Sequence, residues 1–319
     1  MIVRWGLDEL PGLLAELGVE RPLLVASPRW SPPVEVAGVW SEVPSDRIAE
    51  AAALAQEAEG LLVLGGGSAI DLTKAISAET GLPMVSVPTT YSGAEWTPSF
   101  GIRNQEKLMR GGGSGARLAG VVYEPELTLG LPPPETVGTA LNALAHTAEA
   151  TYVKGRTAEG DREALAGAAL IAEWLPSVVD DGRDLQGRRG LLEGAMHAGA
   201  ALAAAGLGLG HAMAQALGGR YGLPHGALNA ITLPAALRFN EPVAGLEIAR
   251  FGEAIGTDDP AGRVQELARL GGFERLRDLG VPEAELDEVA EATAVRGGAQ
   301  ANPRRASEAE ITELLRSIW

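Results

Sequence analysis

Three of the four histidines in the sequence, together with one asparagine, have the residue types and spacing of a polar site. Asn142 and His146 are four residues apart, which places both on one face of a helix. His211 follows a glycine-rich segment, and His225 follows Gly-Leu-Pro. Imidazoles transfer protons near neutral pH and bind divalent metals. For each histidine, the alternative is a hydrogen-bonded imidazole in the core. His197 lies in an alanine-rich stretch without such neighbours and is predicted to be structural.

A triglycine turn in the first half could hold a phosphate group. The apolar run 61–64 precedes Gly65, Gly66 and Gly67, and Ser68 then opens a helical pattern. Residues without Cβ let the backbone approach a ligand closely, and the N-terminus of a helix favours an anion. The spacing differs from the dinucleotide-binding fingerprint, so a plain structural turn is the alternative. Asp71 follows on the same helix, either as a first-turn acid that complements the helix dipole or as a cofactor contact.

A second candidate loop carries three hydroxyl side chains. Thr89, Thr90 and Ser92 follow the predicted strand 84–87. Ligands bind beyond the carboxyl ends of the strands in open parallel sheets. Hydroxyls and glycine are also ordinary turn residues, so this loop alone leaves both interpretations open.

The elements that must position these residues differ between the two halves. Short apolar runs at 22–26, 61–64, 84–87 and 119–123 are typical of strands that are buried on both faces. Helical patterns capped by Ser45 and Ser68 alternate with them. This βαβα order predicts an α/β domain with a parallel sheet over residues 1–131.

The remaining residues, 132–319, are predicted to form an all-α domain. Three consecutive prolines at 132–134 separate the halves. The helical segments beyond them are expected to break at Pro176, Gly222–Pro224, Pro242 and Pro282. The tract Gly111–Gly115 is interpreted as a mobile loop.

Composition excludes several classes of function. The formal net charge of −16 argues against nucleic-acid or membrane-surface binding, which leaves a small molecule as the expected partner. The absence of cysteine excludes disulfides, thiolate metal sites and cysteine nucleophiles.

No signal-peptide pattern is present, so a cytoplasmic location is expected. The uncharged stretch 194–219 is rejected as a membrane helix because glycines interrupt it and it carries two histidines.

Several motifs in order along the chain together resemble the iron-containing alcohol dehydrogenase superfamily, and two of them resemble its maleylacetate reductase branch. These motifs are GGGSAIDLTKAI (65–76), VPTTYSGAEWTP (87–98), NALAH (142–146), GHAMAQALGGRYGLPHGALNAITLP (210–234) and NPR (302–304). The resemblance covers nearly the whole chain.

The resemblance implies a homodimeric oxidoreductase that uses NAD(P)H in a cleft between its two domains. In such an enzyme Gly65, Gly66, Gly67 and Ser68 would hold the pyrophosphate, Asp71 would lie near the nicotinamide, and Thr89, Thr90 and Ser92 would line the cofactor. The maleylacetate reductase branch implies reduction of an unsaturated oxo-acid in the catabolism of aromatic compounds, with His146, His211, His225 and Arg220 as catalytic candidates.

Metal-using relatives coordinate Fe²⁺ or Zn²⁺ through one Asp and three His, at the positions of Asn142, His146, His211 and His225. The aspartate is absent here. A neutral amide compensates the charge of a divalent ion less well than a carboxylate does, so metal affinity is expected to be low. A metal-dependent alcohol dehydrogenase for small alcohols or aldehydes is the alternative function. A lyase that uses NAD transiently and a non-catalytic relic are the more distant ones.

The substrate and the cofactor should each require a cation. A dicarboxylate substrate needs a cationic partner in this acidic protein. Arg220 and Arg238 are the candidates, with a structural ion pair or a solvated charge as the alternative for each.

After the first predicted strand, the sequence 26–29 lacks the acid that would bind a ribose 2′-hydroxyl. Arg29 could pair with a 2′-phosphate there, which predicts that NADPH is accepted at least as well as NADH.

Overall fold

The computed structural model describes all residues from 1 to 319. Contacts divide the chain into two units, which comprise Met1–Thr90 with Ala94–Gly130, and Tyr91–Gly93 with Leu131–Trp319. No single helix is long and apolar enough to cross a membrane. The neighbouring helices over 185–205 and 209–221 meet the criteria of length and composition only when taken together, and they are bent by 101° to each other.

The first unit is built on a six-stranded parallel sheet, which confirms the predicted α/β fold. Its strand order is β1-β8-β5-β4-β2-β3. The strands of this unit are β1 (Ile2–Trp5), β2 (Leu23–Ala26), β3 (Gly38–Trp40), β4 (Leu61–Gly65), β5 (Pro83–Pro88), β6 (Phe100–Arg103), β7 (Met109–Gly113) and β8 (Arg117–Tyr123). Its helices are α1 (Leu10–Glu16), α2 (Ile48–Leu54) and α3 (Gly67–Thr80).

Alternate side chains of the central strands bury on opposite faces of the sheet. On strand β4, Leu62 and Leu64 pack with Leu10 of α1. Leu61 and Val63 pack on the other face with Ile70 of α3. This two-sided burial explains why the strands are continuous apolar runs in the sequence.

Three local predictions for this unit need correction. Residues 109–113, which include most of the predicted mobile loop, form β7 and pair antiparallel with β6, because consecutive glycines also permit extended backbone. Ser45 does not cap α2, which begins at Ile48; its hydroxyl accepts the Arg47 N–H before the helix starts. Ser68 lies inside the first turn of α3, and Gly66 takes the cap position.

The second unit is entirely helical. Its helices are α4 (Pro133–Ala150), α5 (Ala158–Asp180), α6 (Leu185–Ala205), α7 (Leu209–Tyr221), α8 (His225–Ala254), α9 (Pro260–Arg269), α10 (Leu286–Ala294), α11 (Gly297–Ala301) and α12 (Glu308–Ser317). Pro176 was expected to break a helix but lies within α5. Pro242 likewise lies within α8, where the backbone leaves helical geometry at Ala244.

Helix α4 is the central helix of this unit. Most of its residues from Thr136 onward are buried, and it packs against α5, α6 and α8. A Cβ atom on Gly226 would lie 2.2 Å from the Gly138 carbonyl oxygen, so only glycine permits this approach of α8 to α4. Because His225 precedes Gly226, the same contact holds the start of α8 beside α4.

Candidate active site

The triglycine turn joins β4 directly to α3. Gly66 is the N-cap, and its carbonyl accepts the N–H groups of Ala69 and Ile70. A Cβ atom at Gly66 would lie 2.7 Å from the Thr90 methyl carbon, and one at Gly65 would lie 2.7 Å from the Ala69 Cβ. The turn therefore requires glycine at both positions. The first N–H groups of α3 have no partner within the helix, which is the arrangement that favours an anion.

Two buried hydroxyl groups beside this turn have no hydrogen-bond partner. The Oγ1 atoms of Thr89 and Thr90 are inaccessible to solvent and unpaired. A Cβ atom on Gly66 would lie only 3.2 Å from the Thr90 Oγ1. Buried hydroxyls are normally paired, and leaving one unpaired costs about 1–3 kcal/mol. A ligand with phosphate and ribose oxygens fits this set of donors.

Asp71 anchors the hairpin formed by β6 and β7. Its carboxylate accepts a 3.0 Å hydrogen bond from Lys74 Nζ and a 3.2 Å bond from the Gly101 N–H. Lys74 is buried and also donates to the Ser99 carbonyl at 2.8 Å. The expected nicotinamide contact of Asp71 stays a prediction.

Glu95 is a buried acid in the same unit that sequence reasoning did not single out. Its Oε1 accepts a 2.7 Å hydrogen bond from the Tyr123 hydroxyl, which in turn accepts the Trp96 indole N–H at 2.8 Å. Burial raises the pKa of the Glu95 carboxyl. The Oε2 atom is buried and has no partner.

The helical unit brings together the three histidines that sequence analysis singled out. The rings of His146 and His211 stack with centroids 4.3 Å apart and an interplanar angle of 11°. The rings of His211 and His225 are 5.8 Å apart and tilted by 50°. These imidazoles come from α4, α7 and α8, so the cluster depends on the packing of three helices. His197 lies outside the cluster and pairs with Glu163 at 2.6 Å.

A chain of amide hydrogen bonds fixes the tautomers of two of these histidines. Asn142 Nδ2 donates to the Ser92 carbonyl at 3.1 Å and lies 3.1 Å from His146 Nε2. Asn229 Nδ2 donates to Asn142 Oδ1 at 2.7 Å and lies 3.0 Å from His225 Nε2. An amide NH₂ group can only donate. Both Nε2 atoms are therefore acceptors, and the proton of each ring is on Nδ1.

Glu149 orients the third histidine. Its carboxylate accepts His211 Nδ1–H at 2.7 Å, the His211 backbone N–H at 3.2 Å and the Gly208 N–H at 2.6 Å. The side chains of Glu149 and His211 are both fully buried. The His211 Nε2 atom is buried without a hydrogen-bond partner. The carboxylate lies at the N-terminus of α7, where the helix dipole stabilises negative charge.

The side chains of the histidine cluster do not form a site that would hold a divalent metal tightly. The fourth candidate position carries the neutral Asn142, and amide groups already occupy the Nε2 lone pairs of His146 and His225. No group of three histidine or carboxylate side chains has the arrangement of a metal site. A cation could use these nitrogens only after both amides had turned away.

Other predicted site residues have different surroundings. Arg220 is part of an exposed network with Glu285 and Glu288. It lies nine residues beyond His211 on α7, about 13 Å along the helix axis at 1.5 Å per residue. This ion-paired position separates Arg220 from His211, and a catalytic role for Arg220 stays a prediction. Arg238 donates to Gln265 on the surface.

Sequence reasoning missed two residues of the cluster, although each carries a helical signal. Glu149 lies three residues after His146, and Asn229 lies four residues after His225. Side chains at these spacings share a helix face. A search for polar residues one turn beyond each candidate histidine would have found both.

Comparisons with known proteins agree with this architecture. The model of the iron-containing alcohol dehydrogenase family matches residues 4–119, and the model of its C-terminal region matches residues 136–319. A maleylacetate reductase of Pseudomonas sp. (strain P51) is 32% identical over 98% of this chain and 93% of its own length. One from Burkholderia cepacia is 34% identical over 99% and 95%.

Solved structures share the fold. The crystal structure of a maleylacetate reductase from a Rhizobium strain superposes with a TM-score of 0.90 at 28% identity, covering 100% of this chain and 95% of its own. The two family models together match most of the chain, and the relatives span nearly all of it. The chain is therefore an oxidoreductase of the iron-containing alcohol dehydrogenase family and belongs to its maleylacetate reductase branch.

Proposed function

We propose that this protein is an NAD(P)H-dependent reductase of an unsaturated oxo-dicarboxylic acid of the maleylacetate type, with a 3-oxoadipate-type product. The observation that carries the proposal is the Glu149–His211 pair. It holds one buried imidazole with Nδ1–H bonded to a carboxylate and Nε2 directed away from it. The names of the relatives support the substrate class.

The nicotinamide cofactor would bind the α/β unit. The N–H groups at Gly67 and Ser68 would hold its pyrophosphate, and the hydroxyls of Thr89 and Thr90 would pair with its polar groups. When bound, the reduced cofactor supplies a hydride. The unpaired threonine hydroxyls are the feature of this chain that supports such a ligand.

The chemistry required of the protein is control of an enolate. Hydride addition to a carbon–carbon double bond that is conjugated with a ketone moves an electron pair to the ketone oxygen. Protonation of the adjacent carbon then completes the reduction. A positioned donor aimed at such an oxyanion contributes about 3–4 kcal/mol. The imidazoles of His146, His211 and His225 are the donors available in the helical unit.

His211 is suited to deliver the proton. When its imidazole is protonated, Glu149 accepts Nδ1–H and stabilises the positive charge, while Nε2–H is the proton that can be transferred. After transfer, Nε2 is left unprotonated, and the proton on Nδ1 remains bonded to Glu149. A positioned acid of this kind contributes about 10²–10⁴-fold to the rate. His146 and His225 each have Nε2 engaged by an amide, so Nδ1–H is the donor that each ring would offer.

Because the donor set does not fit a metal, no step of this mechanism uses one. The iron-containing relatives give the family its name, and a metal-dependent alcohol dehydrogenase is the alternative that the test must distinguish. We also propose a homodimer, as the family resemblance implies, which light scattering on the purified protein tests.

The decisive experiment is NADPH oxidation with purified protein against maleylacetate, simple enoates and small aldehydes, after EDTA treatment and with added Fe²⁺ or Zn²⁺. We expect turnover of maleylacetate that survives EDTA. Activity that EDTA abolishes and Fe²⁺ or Zn²⁺ restores on an aldehyde would support the alternative. Turnover without net NADPH oxidation would overturn both functions.

A further inference from the structure

Arg296 is a half-buried cation without an acidic partner. It lies between α10 and α11, and its Nε atom is inaccessible to solvent and has no hydrogen-bond partner. Burial lowers the pKa of its guanidinium, and no carboxylate opposes that effect. The guanidinium still keeps its charge at neutral pH. A buried donor without a partner is costly, and a cation without an acidic partner is unexpected in a protein with a net charge of −16.

The segment that carries Arg296 packs against the first turn of α7. A Cβ atom on Gly298 would lie 2.4 Å from the Gly208 carbonyl oxygen and 3.5 Å from the Ala212 Cβ. Gly208 is the N-cap of α7, and its N–H is bonded to Glu149, the residue that holds His211. The start of α11 therefore lies directly against the turn that contains the proposed proton donor.

Chain geometry limits how far Arg296 can be from this turn. The Gly298 Cα lies within about 4 Å of the Gly208 carbonyl oxygen, and two residues span at most about 7 Å. The Arg296 Cα is thus within about 11 Å of that oxygen, and an extended arginine side chain reaches about 7 Å. The buried Nε shows that the stem of the side chain lies against the protein, while the residue as a whole stays partly exposed.

Two other cations of this region already have partners. Arg220 is paired with Glu285 and Glu288, and Lys154 donates to the Gln300 carbonyl. Arg296 differs from both because its Nε atom is buried and has no partner. A guanidinium presents a planar fork that pairs with both oxygens of a carboxylate.

We infer that Arg296 binds one carboxylate of the substrate, the one remote from the reacting double bond, and so determines the preference for acids over neutral carbonyl compounds. This inference rests on the proposed function for its substrate class. A remote carboxylate is bound equally in the ground state and in the transition state. Loss of Arg296 should therefore raise KM and leave kcat nearly unchanged.

The kinetic test compares Arg296→Met and Arg296→Lys with Arg305→Met, which removes an exposed arginine nine residues further along the chain. With the oxo-dicarboxylate, we expect Arg296→Met to raise KM about 10- to 100-fold, the range of a hydrogen bond to a charged group. Arg296→Lys should lose less, and Arg305→Met should behave as wild type. A neutral enone should be reduced equally by all four proteins. A fall in kcat with unchanged KM would overturn the inference.

Calorimetric titration with adipate, an unreactive dicarboxylate, tests the same site without turnover. We expect wild type and Arg305→Met to bind adipate and Arg296→Met to bind it at least tenfold more weakly. Equal binding by Arg296→Met, or no binding by wild type, would overturn the role of Arg296. If wild type reduces none of the tested compounds but binds adipate through Arg296, the proposed function fails and the carboxylate site stands.

Discussion

Replacing Asn142 with aspartate should convert the histidine cluster into a metal-dependent structure. The Asn142 amide donates to the Ser92 carbonyl and to His146 Nε2, and it accepts from Asn229. In Asn142→Asp, an oxygen replaces the donating nitrogen. Two hydrogen bonds are lost, and the new oxygen faces a carbonyl oxygen and a ring lone pair. A cation placed between them would relieve this repulsion.

The size of the effect follows from these contacts. Two lost hydrogen bonds cost about 1 kcal/mol each, and a buried carboxylate oxygen without a donor costs about 1–3 kcal/mol more. The total is about 3–5 kcal/mol. At about 2–4 °C per kcal/mol for a unit of this size, Tm should fall by roughly 6–20 °C. A metal at 100 times its Kd stabilises the protein by about 2.7 kcal/mol. This gain offsets roughly half to nine-tenths of the estimated loss of about 3–5 kcal/mol.

The assay is thermal unfolding in EDTA and in Zn²⁺ or Co²⁺, with Co²⁺ absorption as a second signal for tetrahedral coordination. Asn240→Asp is the matched control. Asn240 is also a buried asparagine of the helical unit and bonds to Asn302 and the Ala236 carbonyl. We expect both variants to be destabilised in EDTA, and only Asn142→Asp to recover with metal.

Either of two results would contradict this role of the Asn142 amide. If metal raises the Tm of wild type as much as that of Asn142→Asp, the amide chain does not prevent metal binding. If Asn142→Asp is as stable as wild type in EDTA, the assigned hydrogen bonds do not exist in solution.

Four further predictions address the acid, the cofactor and the pH dependence. Glu149→Gln should lower kcat by about 100-fold with little change in KM, because a neutral amide no longer stabilises protonated His211; steady-state kinetics check this, and an unchanged kcat would remove His211 as the acid. Thr90→Val should weaken NADPH binding about fivefold or more without lowering the Tm of the cofactor-free protein, because the lost hydroxyl is unpaired there; a lower Tm would show that the hydroxyl has a structural partner. Arg29→Ala should raise KM for NADPH about tenfold and leave KM for NADH unchanged; an NADH preference already present in wild type and unaffected by the change would count against a 2′-phosphate contact. Burial raises the pKa of Glu95, so wild type loses stability as pH rises above the ordinary value of 4.5 towards the raised pKa. Because glutamine does not titrate, the Tm of Glu95→Gln relative to wild type should increase from pH 4 to pH 7. A Tm difference that stays constant with pH would contradict a buried neutral acid at this position.

Several features of the fold were accessible from the sequence because they depend on local patterns. Strands buried on both faces must be continuous apolar runs, and this signal located β2, β4, β5 and β8. The short edge strands β1 and β3 carry little of that signal because they are less buried. The glycine strand β7 was missed because glycine has no side-chain pattern to detect.

The order of motifs along the chain also carried the family, since whole-chain resemblance needs only residue identity and spacing. The same spacing grouped Asn142 with His146 on one helix face. It did not reveal Glu149 or Asn229, although each lies one turn from a candidate histidine.

What the sequence alone determined is therefore the fold class, the family and the residue types available for chemistry. Tertiary structure decided which ring nitrogens accept and which carry protons, because the hydrogen bonds from Asn229 to Asn142 and from His211 to Glu149 join residues 87 and 62 positions apart. It also separated Arg220, which is ion-paired on the surface, from Arg296, which has no acidic partner. Protonation and charge pairing depend on distances of about 3 Å between different helices, and no local pattern specifies those distances.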